Sequence, residues 1–386
     1  MKNIALLLCI TLAEALSAQS LRKYSNEFLK IGVGGKYLGT GGSLVTSESD
    51  PAAVFYNPGA IGAIDRVSVS AMHNSYFAGI ANFDYAGIVF PLKDRQNIGI
   101  SLIRMGIDNI PNTINLYNAD GSINYDNIKS FSVSDMALFL SFGKRMQDTQ
   151  GLSIGGSVKI IKRDYGYFAN AWGFGIDVGA QYVKDKFSVG VFVQDLTTTF
   201  SSWKFNFSEE DKVVLRATNN EIPTSSSEIT LPALNFGGVY HFPIGKSKNI
   251  VINPMLKFTL YTDQRNVLLA GPVSLDAALG TEVAIYNIAF LRFGVNNFTT
   301  ATNDLQQKYL SYVPSLGAGF KIDQFEIDYS YNNVANAGIG LFSHVFSAIY
   351  KFKKKNKYSS PTVMPNIPNI EPILPNNEPV VPVNPN

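Results

Sequence analysis

Residues 172–182 read WGFGIDVGAQY. Trp172, Phe174, Ile176, Val178, Ala180 and Tyr182 fall on one side of a two-residue period, and Gly173, Gly175, Asp177, Gly179 and Gln181 on the other. Successive side chains of a strand point to opposite faces, so the stretch is a strand with one apolar face and one small or polar face. The pattern recurs at 325–332, where Phe325, Ile327, Tyr329 and Tyr331 oppose Glu326, Asp328, Ser330 and Asn332. It recurs at 152–160, with Leu152, Ile154, Val158 and Ile160 against Ser153, Ser157 and Lys159, and at 275–285, with Leu275, Leu279 and Val283 against Asp276 and Glu282. Alternation held over about ten residues is the length that crosses a bilayer when tilted, whereas strands of a soluble sandwich are usually shorter.

The connectors between such stretches alternate in length. PLKDRQ (91–96), MQDTQG (146–151), KDK (184–186), IGKSKN (244–249), YN (286–287) and DQ (323–324) are short and polar, while those between them are mostly longer, with 106–134 and 196–231 the longest. Brief turns on one rim and long loops on the other are the mark of an outer-membrane β-barrel. Strands are expected near 66–77, 80–90, 97–106, 135–145, 151–163, 171–183, 187–195, 232–242, 250–261, 274–285, 288–297, 312–322, 325–333 and 341–352. That is about fourteen, an even number that returns both ends of the barrel to the periplasmic side. In lipid every backbone N–H and C=O must be satisfied internally, so the sheet must close without an edge. The lumen face then holds the charges Lys159, Asp177, Asp276, Glu282, Arg292, Glu326 and Asp328, which are expected to pair in a hydrated interior. Tyr76, Phe90, Tyr182, Phe242, Tyr261, Tyr350 and Phe352, at strand ends, suit the two interfacial girdles.

Composition agrees. The chain of 386 residues is 46% hydrophobic, 12% aromatic and 16% charged, with 32 Gly, 26 Phe and 19 Tyr. After the N-terminal segment no run of about 18 apolar residues occurs, so membrane helices are not expected. A net charge of +2 makes no electrostatic case for nucleic acid. Residues 1–18 carry Lys2, an apolar stretch from Ile4 to Leu12 and small residues up to Ala18, the outline of a secretory signal peptide. Cys9, the single cysteine, lies inside it, so the mature chain would hold no thiol.

The division expected is therefore a signal segment (1–18), a periplasmic or plug segment (19–65), a transmembrane barrel (66–352) and a Lys-rich boundary with a Pro-rich periplasmic tail (353–386). A barrel of this size encloses more space than its own side chains fill. Residues 31–65 lack alternation and are rich in Gly and small residues. Asp50 before Pro51 is a good helix N-cap followed by Pro at the first helical position, and Asn57-Pro58-Gly59 ends that turn. A short helix packed in the barrel mouth would read this way. Gly32, Gly34 and Gly35 lack the Lys-Ser/Thr of a phosphate loop.

The run Gly41-Gly42, Asp50-Pro51-Ala52-Ala53 and Tyr56-Asn57-Pro58-Gly59-Ala60-Ile61 resembles the N-terminal signature of the PorV/PorQ family, outer-membrane proteins of the Bacteroidota distantly similar to the FadL fatty-acid transporters. The family pattern is close to DPAAxxxNPAG, and here Gly59-Ala60 stands in place of Ala-Gly. The resemblance covers residues from about 31 to 352 and implies a fourteen-stranded barrel with an N-terminal plug. It implies a non-enzymatic subunit of a type IX secretion or surface-assembly complex, binding a partner barrel or exported protein cargo through its loops or rim.

Beyond Phe352 and KKKNK (353–357), prolines recur every three or four residues to Pro385. That spacing excludes helix and sheet and favours a disordered, extended tail that can reach on the order of 80 Å. Ile367, Ile370, Ile373, Leu374, Val380 and Val381 stand between the prolines as apolar anchors for a periplasmic partner.

Catalytic chemistry is not legible. His73, His241 and His344 are far apart, and no G-x-S-x-G or HExxH occurs, so no catalytic residue and no cofactor is expected. Asp120, Asp126 and Asp135 are the loop carboxylates available to calcium, though no metal site is assigned. Three readings follow. The first is the secretion or assembly subunit, seated in outer-membrane lipid; the second is a FadL-like channel for small hydrophobic molecules, with the N-terminal segment as a hatch hinged at Asn57-Pro58. The third is a structural barrel whose tail tethers a periplasmic partner.

Overall fold

The computed structural model describes residues 25–353 except 48–49, 119, 224, 264–266, 270–272, 304 and 334–341. The expected signal segment and the tail anchors Ile367, Ile370, Ile373, Leu374, Val380 and Val381 lie outside the described residues.

One antiparallel sheet closes on itself. Its 17 strand segments form 14 barrel strands, because two strands are interrupted. The first six are β1 (Ser68–Tyr76), β2 (Ala81–Pro91), β3 (Gln96–Asn112), β4 (Lys129–Arg145), β5 (Leu152–Tyr165) and β6 (Ala169–Lys184). β7 runs over Phe187–Gln194 and continues over Thr199–Phe205, and β8 over Ser225–Thr230, Ala233–Tyr240 and Phe242–Ile244. The rest are β9 (Ile250–Tyr261), β10 (Ser274–Ile285), β11 (Ala289–Thr302), β12 (Lys308–Ile322), β13 (Phe325–Asn333) and β14 (Phe342–Lys351). β14 pairs with β1 from Ser68 opposite Lys351 to Ser75 opposite His344, which leaves no open edge.

Alternation places the faces as the physics of lipid demands. Trp172, Phe174 and Ile176 point outward and are exposed, while Asp177 and Gln181 on the same strand are buried inside. At the short-turn rim, Tyr286 and Asn287 have φ of 51° and 52°, the paired positive values of the two-residue hairpin turn that matches strand twist. Phe90, Phe242 and Phe352 stand exposed at that rim. Tyr76 and Tyr261 differ from the girdle expectation: both line the lumen, because their positions share parity with inward neighbours such as Met72 and Thr259.

The loops expected at 106–134 and 196–231 are shorter than expected, because strand runs into both ends of each. β3 extends to Asn112, and Thr199–Phe205 pairs with both Ala169–Phe174 of β6 and Ser225–Thr230 of β8. Between the latter two stands a helix, α3 (Glu209–Ala217), opened by a capping box of Ser208 and Asp211. Above the bilayer neither face of a strand need be apolar, so the alternation that marks the lower strands fades there.

The described residues between 25 and 65 lie inside the barrel and occupy part of its lumen. They form a short 3₁₀ turn (Glu27–Lys30), helices α1 (Gly35–Gly39) and α2 (Ala53–Tyr56) and a 3₁₀ helix (Pro58–Ala63). The hydrophobic core lies inside the barrel, where Phe28, Leu29, Val33, Tyr37, Val54 and Ile61 of this plug pack on the inward faces of Phe83, Tyr85, Ile103, Phe139 and Val345. The described chain begins beside the wall rather than at a rim: Asn26 Nδ2 donates to Thr230 Oγ1 at 3.0 Å.

Candidate functional site: the plug and the chamber above it

The DPAA…NPG segment is the plug's structural knot. Asp50 Oδ1 accepts from Ala52 N at 2.8 Å, and the Ala53 N–H bonds the Asp50 carbonyl at 3.0 Å, so the carboxylate caps a tight turn leading into α2. The Pro51 carbonyl accepts from the Tyr85 hydroxyl of β2 at 3.1 Å. Tyr56 stacks on Tyr37 with centroids 4.3 Å apart, and its hydroxyl bridges Val33 N and O at 2.9 and 3.0 Å. Asn57 makes three bonds: Nδ2 to the carbonyls of Val45 (3.0 Å) and Ala180 (2.9 Å), and Oδ1 from Gly59 N (3.0 Å). Gly59, where the family pattern has Ala, presses on β6: a Cβ there would come 2.6 Å from the Gly179 carbonyl oxygen. The Pro58 carbonyl in turn lies against Gly155 of β5.

These contacts belong to a circuit of the wall. Gly35 N donates to Ser347 Oγ of β14 at 2.9 Å, and Gly39 meets Gly317 of β12. The Gly41 carbonyl accepts from Asn296 Nδ2 of β11 at 2.9 Å, Gln181 of β6 holds Ser47 through both amide atoms, and Asn97 of β3 donates to the carbonyls of Ile61 and Ile64. Backbone can lie on backbone here because inward wall positions are glycine. The plug therefore rests on the lower wall largely through its main chain.

Lumen charges fall into two groups. Lys159 of β5, with no exposed surface, has its Nζ 2.9 Å from Asp177 of β6 and also pairs with Asp195, which sits at the interruption of β7. Arg292 of β11 bonds Glu282 at 2.7 Å and Asp328 at 2.5 Å, with Glu326 at 4.0 Å and held by Lys351 at 3.2 Å. Asp276 joins neither group; its carboxylate accepts from Ala277 N and faces the chamber. The Asp120 carboxylate accepts from Ser122 N, Asp135 is clamped by Arg163 at 2.8 Å, and no group of three acidic, His or Cys side chains that could hold a metal occurs among the described residues.

Sequence reasoning passed over Lys36, Asp195 and Lys257. Lys36, on α1, is held above its ordinary pKa: burial opposes the charge, but the carboxylates of Glu282 and Glu326 outweigh it. A lone lysine in a Gly-rich stretch was the available signal. Burial pushes the Asp50 carboxyl up to about 6, against the opposing pull of the Ala52 N–H and of Lys36. Burial likewise drives the Tyr56 phenol upward.

Above the plug lies a chamber of about 670 Å³. Leu29, Leu38, Val45, Phe55 and Tyr56 of the plug contribute its floor, with Phe192 and Ala278 on the wall. Asn235, Lys257, Thr259, Asp276 and Asn296 add a polar side from β8 to β11. Lys257 makes no ion pair among the described residues.

No family model and no curated protein sequence matches the chain. Solved structures do. A Pseudomonas aeruginosa FadL homologue aligns at 14% identity over 83% of this chain and 98% of its own, TM-score 0.50. The toluene transporter TodX of Pseudomonas putida aligns at 13% identity over 83% and 98%, TM-score 0.53, and the toluene transporter TbuX of Ralstonia pickettii at 12% over 83% and 99%, TM-score 0.51. The likeness spans nearly the whole of each relative and is one of fold: an outer-membrane type, 14-strand barrel.

Proposed function

We propose that this chain is an outer-membrane channel for small hydrophobic or amphipathic molecules, closed at rest by its N-terminal plug, with the short-turn rim in the periplasm. The chamber of about 670 Å³ floored by Phe55 and Tyr56 carries the reading, since it is the right size for a small organic ligand and rests directly on the element that must yield for passage. Its apolar floor takes the hydrophobic body, and Lys257, Asn235 and Thr259 receive a polar end. The fold shared with TodX and TbuX, which are toluene transporters, supports the same class of cargo.

The secretion-subunit reading rests on the DPAA…NPG motif. It would place the partner on the loops or rim, whereas the contacts of Pro51, Asn57 and Gly59 run to the plug and the wall, the arrangement that a plugged channel uses.

The test is uptake. Cells carrying the gene and cells lacking it are supplied with radiolabelled toluene and with a medium-chain fatty acid, in the presence and absence of Phe55→Trp, which fills the chamber floor. Faster uptake with the native chain, lost with Phe55→Trp while the barrel remains folded, supports the channel. Uptake that does not depend on the chain removes it.

A further inference from the structure

Among the described residues the outer wall carries a polar region on β1–β3 inside the apolar band, with a second outward ion pair, Lys162 and Asp164, higher up on β5. On β1 the inward side chain is Met72, which accepts from Gly34 N, so His73 points outward and is exposed. On β2 Phe83 and Tyr85 are buried inside, so Asp84 points outward; on β3 Ile103 is buried and Arg104 points outward. The register puts the three side by side: His73 opposite Asp84, and Asp84 opposite Arg104. His73 Nδ1 lies 2.7 Å from Asp84 Oδ1, and Arg104 Nη1 lies 3.8 Å from Asp84 Oδ2. On β14 the outward His344 bonds the Tyr329 hydroxyl at 2.8 Å and extends the region by one strand pair.

Depth makes this unusual. At the tilt of a closed barrel the rise from the short-turn ends of the strands (Ser68, Pro91 and Gln96) is on the order of 13 Å to His73, ~18 Å to Asp84 and ~21 Å to Arg104. The three climb from about the middle of the ~25 Å apolar band of such a wall toward its upper edge, and all stay inside it. Elsewhere around the ring the outward side chains near this level are Leu140, Val158, Ile176, Phe236, Leu279 and Leu316, all exposed. Charge against acyl chains is costly, and most so near the midplane. The guanidinium of Arg104 also makes no hydrogen bond among the described residues, which leaves its donors without acceptors in that setting.

We propose that the outer face of β1–β3 is an interface with a second copy of this chain. The region carries both signs in neighbouring positions, so it is self-complementary under a two-fold axis along the membrane normal. Such an axis beside β2 and β3 sets Arg104 of each copy against Asp84 of the other, satisfying the unused donors and removing both charges from lipid. Directly below, Ala71 and Ala86 are register partners, and their small outward side chains let two walls approach closely.

The chain's single native cysteine, Cys9, lies in the expected signal segment, so an introduced cysteine reports alone. Ala86→Cys is oxidised with copper phenanthroline in intact outer membranes, with Leu256→Cys, outward on the far side of the ring, as control. The expected result is a disulfide-linked pair of copies from Ala86→Cys and none from Leu256→Cys. Asp84→Arg should reduce the pair at least tenfold, and adding Arg104→Asp, which restores opposite signs across the axis, should bring it back. Detection needs only the membrane-inserted chain, checked by heat-modifiable migration, so a variant that fails to fold is recognised. Equal linkage at both cysteines, no linkage at Ala86, linkage to a different protein, or no recovery on charge exchange each overturns the second-copy interface.

Discussion

Asn57 of the plug donates its side-chain amide to the main-chain carbonyl of Ala180 in β6 at 2.9 Å, joining two segments far apart in the chain. The same amide holds the Val45 carbonyl and caps Gly59, so Asn57 fixes the place where the chain could otherwise hinge. Asn57→Ala leaves two buried carbonyls and one N–H unpaired, a loss of about 1–3 kcal/mol. Hydrogen exchange of residues 50–60 should quicken by roughly ten- to a hundredfold while strand amides stay protected. Unchanged exchange would mean that Asn57 does not anchor the plug.

Gly294 of β11 tests the same seal from the wall. A Cβ there would run into the backbone of Thr40 and Gly41. Overpacking a contact of this kind costs about 1–3 kcal/mol, and main chain has no rotamer with which to escape. Gly294→Val should therefore unseat the plug without breaking the barrel, seen as raised conductance in planar bilayers and greater sensitivity of cells to large antibiotics. A closed, silent barrel would show that the wall yields instead.

Much of this architecture is legible in the sequence. Period-two stretches such as 172–182 name the strands and their faces, and the Pro and Gly of residues 50–59 name the turn that plugs the lumen. What cannot be read is which distant residues share a height on the wall. Arg292 meets Asp328 across β12 only because β12 and β13 fold back beside β11, and Asp195 reaches Lys159 only because β7 breaks where it does. The upper halves of β7 and β8 escaped because strands above lipid need no apolar face. His73, Asp84 and Arg104 stand on three separate strands, and their adjacency is a matter of register.

Asp50 predicts a pH dependence. Its carboxyl is raised from the ordinary 3.8 to about 6 by burial. A raised carboxyl favours the folded plug most below pH 4, and that stability is lost as pH rises through about 6, on the order of 2–3 kcal/mol in all. The plug should thus be tighter at pH 5 than at pH 7.5. Asp50→Asn keeps an acceptor for the Ala52 N–H and removes the titration. Thermal unfolding of the purified barrel followed across that range should show a slope for the native chain and none for the variant. A slope of opposite sign would place the ionised form in a more favourable site than this geometry provides.

Lys159 supports the interruption of β7. Asp195 and Thr198 flank it with φ of 56° and 61°, and the Thr199 hydroxyl and the Asp195 N–H tie it to Asp195 and Asp177. With Lys159 in place, two buried carboxylates share one cation. Lys159→Met keeps the volume and removes the charge, leaving those carboxylates facing each other, which should destabilise by about 3–5 kcal/mol. Adding Asp177→Asn and Asp195→Asn takes away the repulsion and keeps acceptors for the Asp195 N–H and the Thr199 hydroxyl. The triple variant should recover most of the loss in thermal unfolding, since a buried ion pair is worth little over neutral groups of the same shape. If Lys159→Met alone unfolds no earlier than the native barrel, water reaches this corner of the lumen and the knot contributes nothing to holding the break in β7.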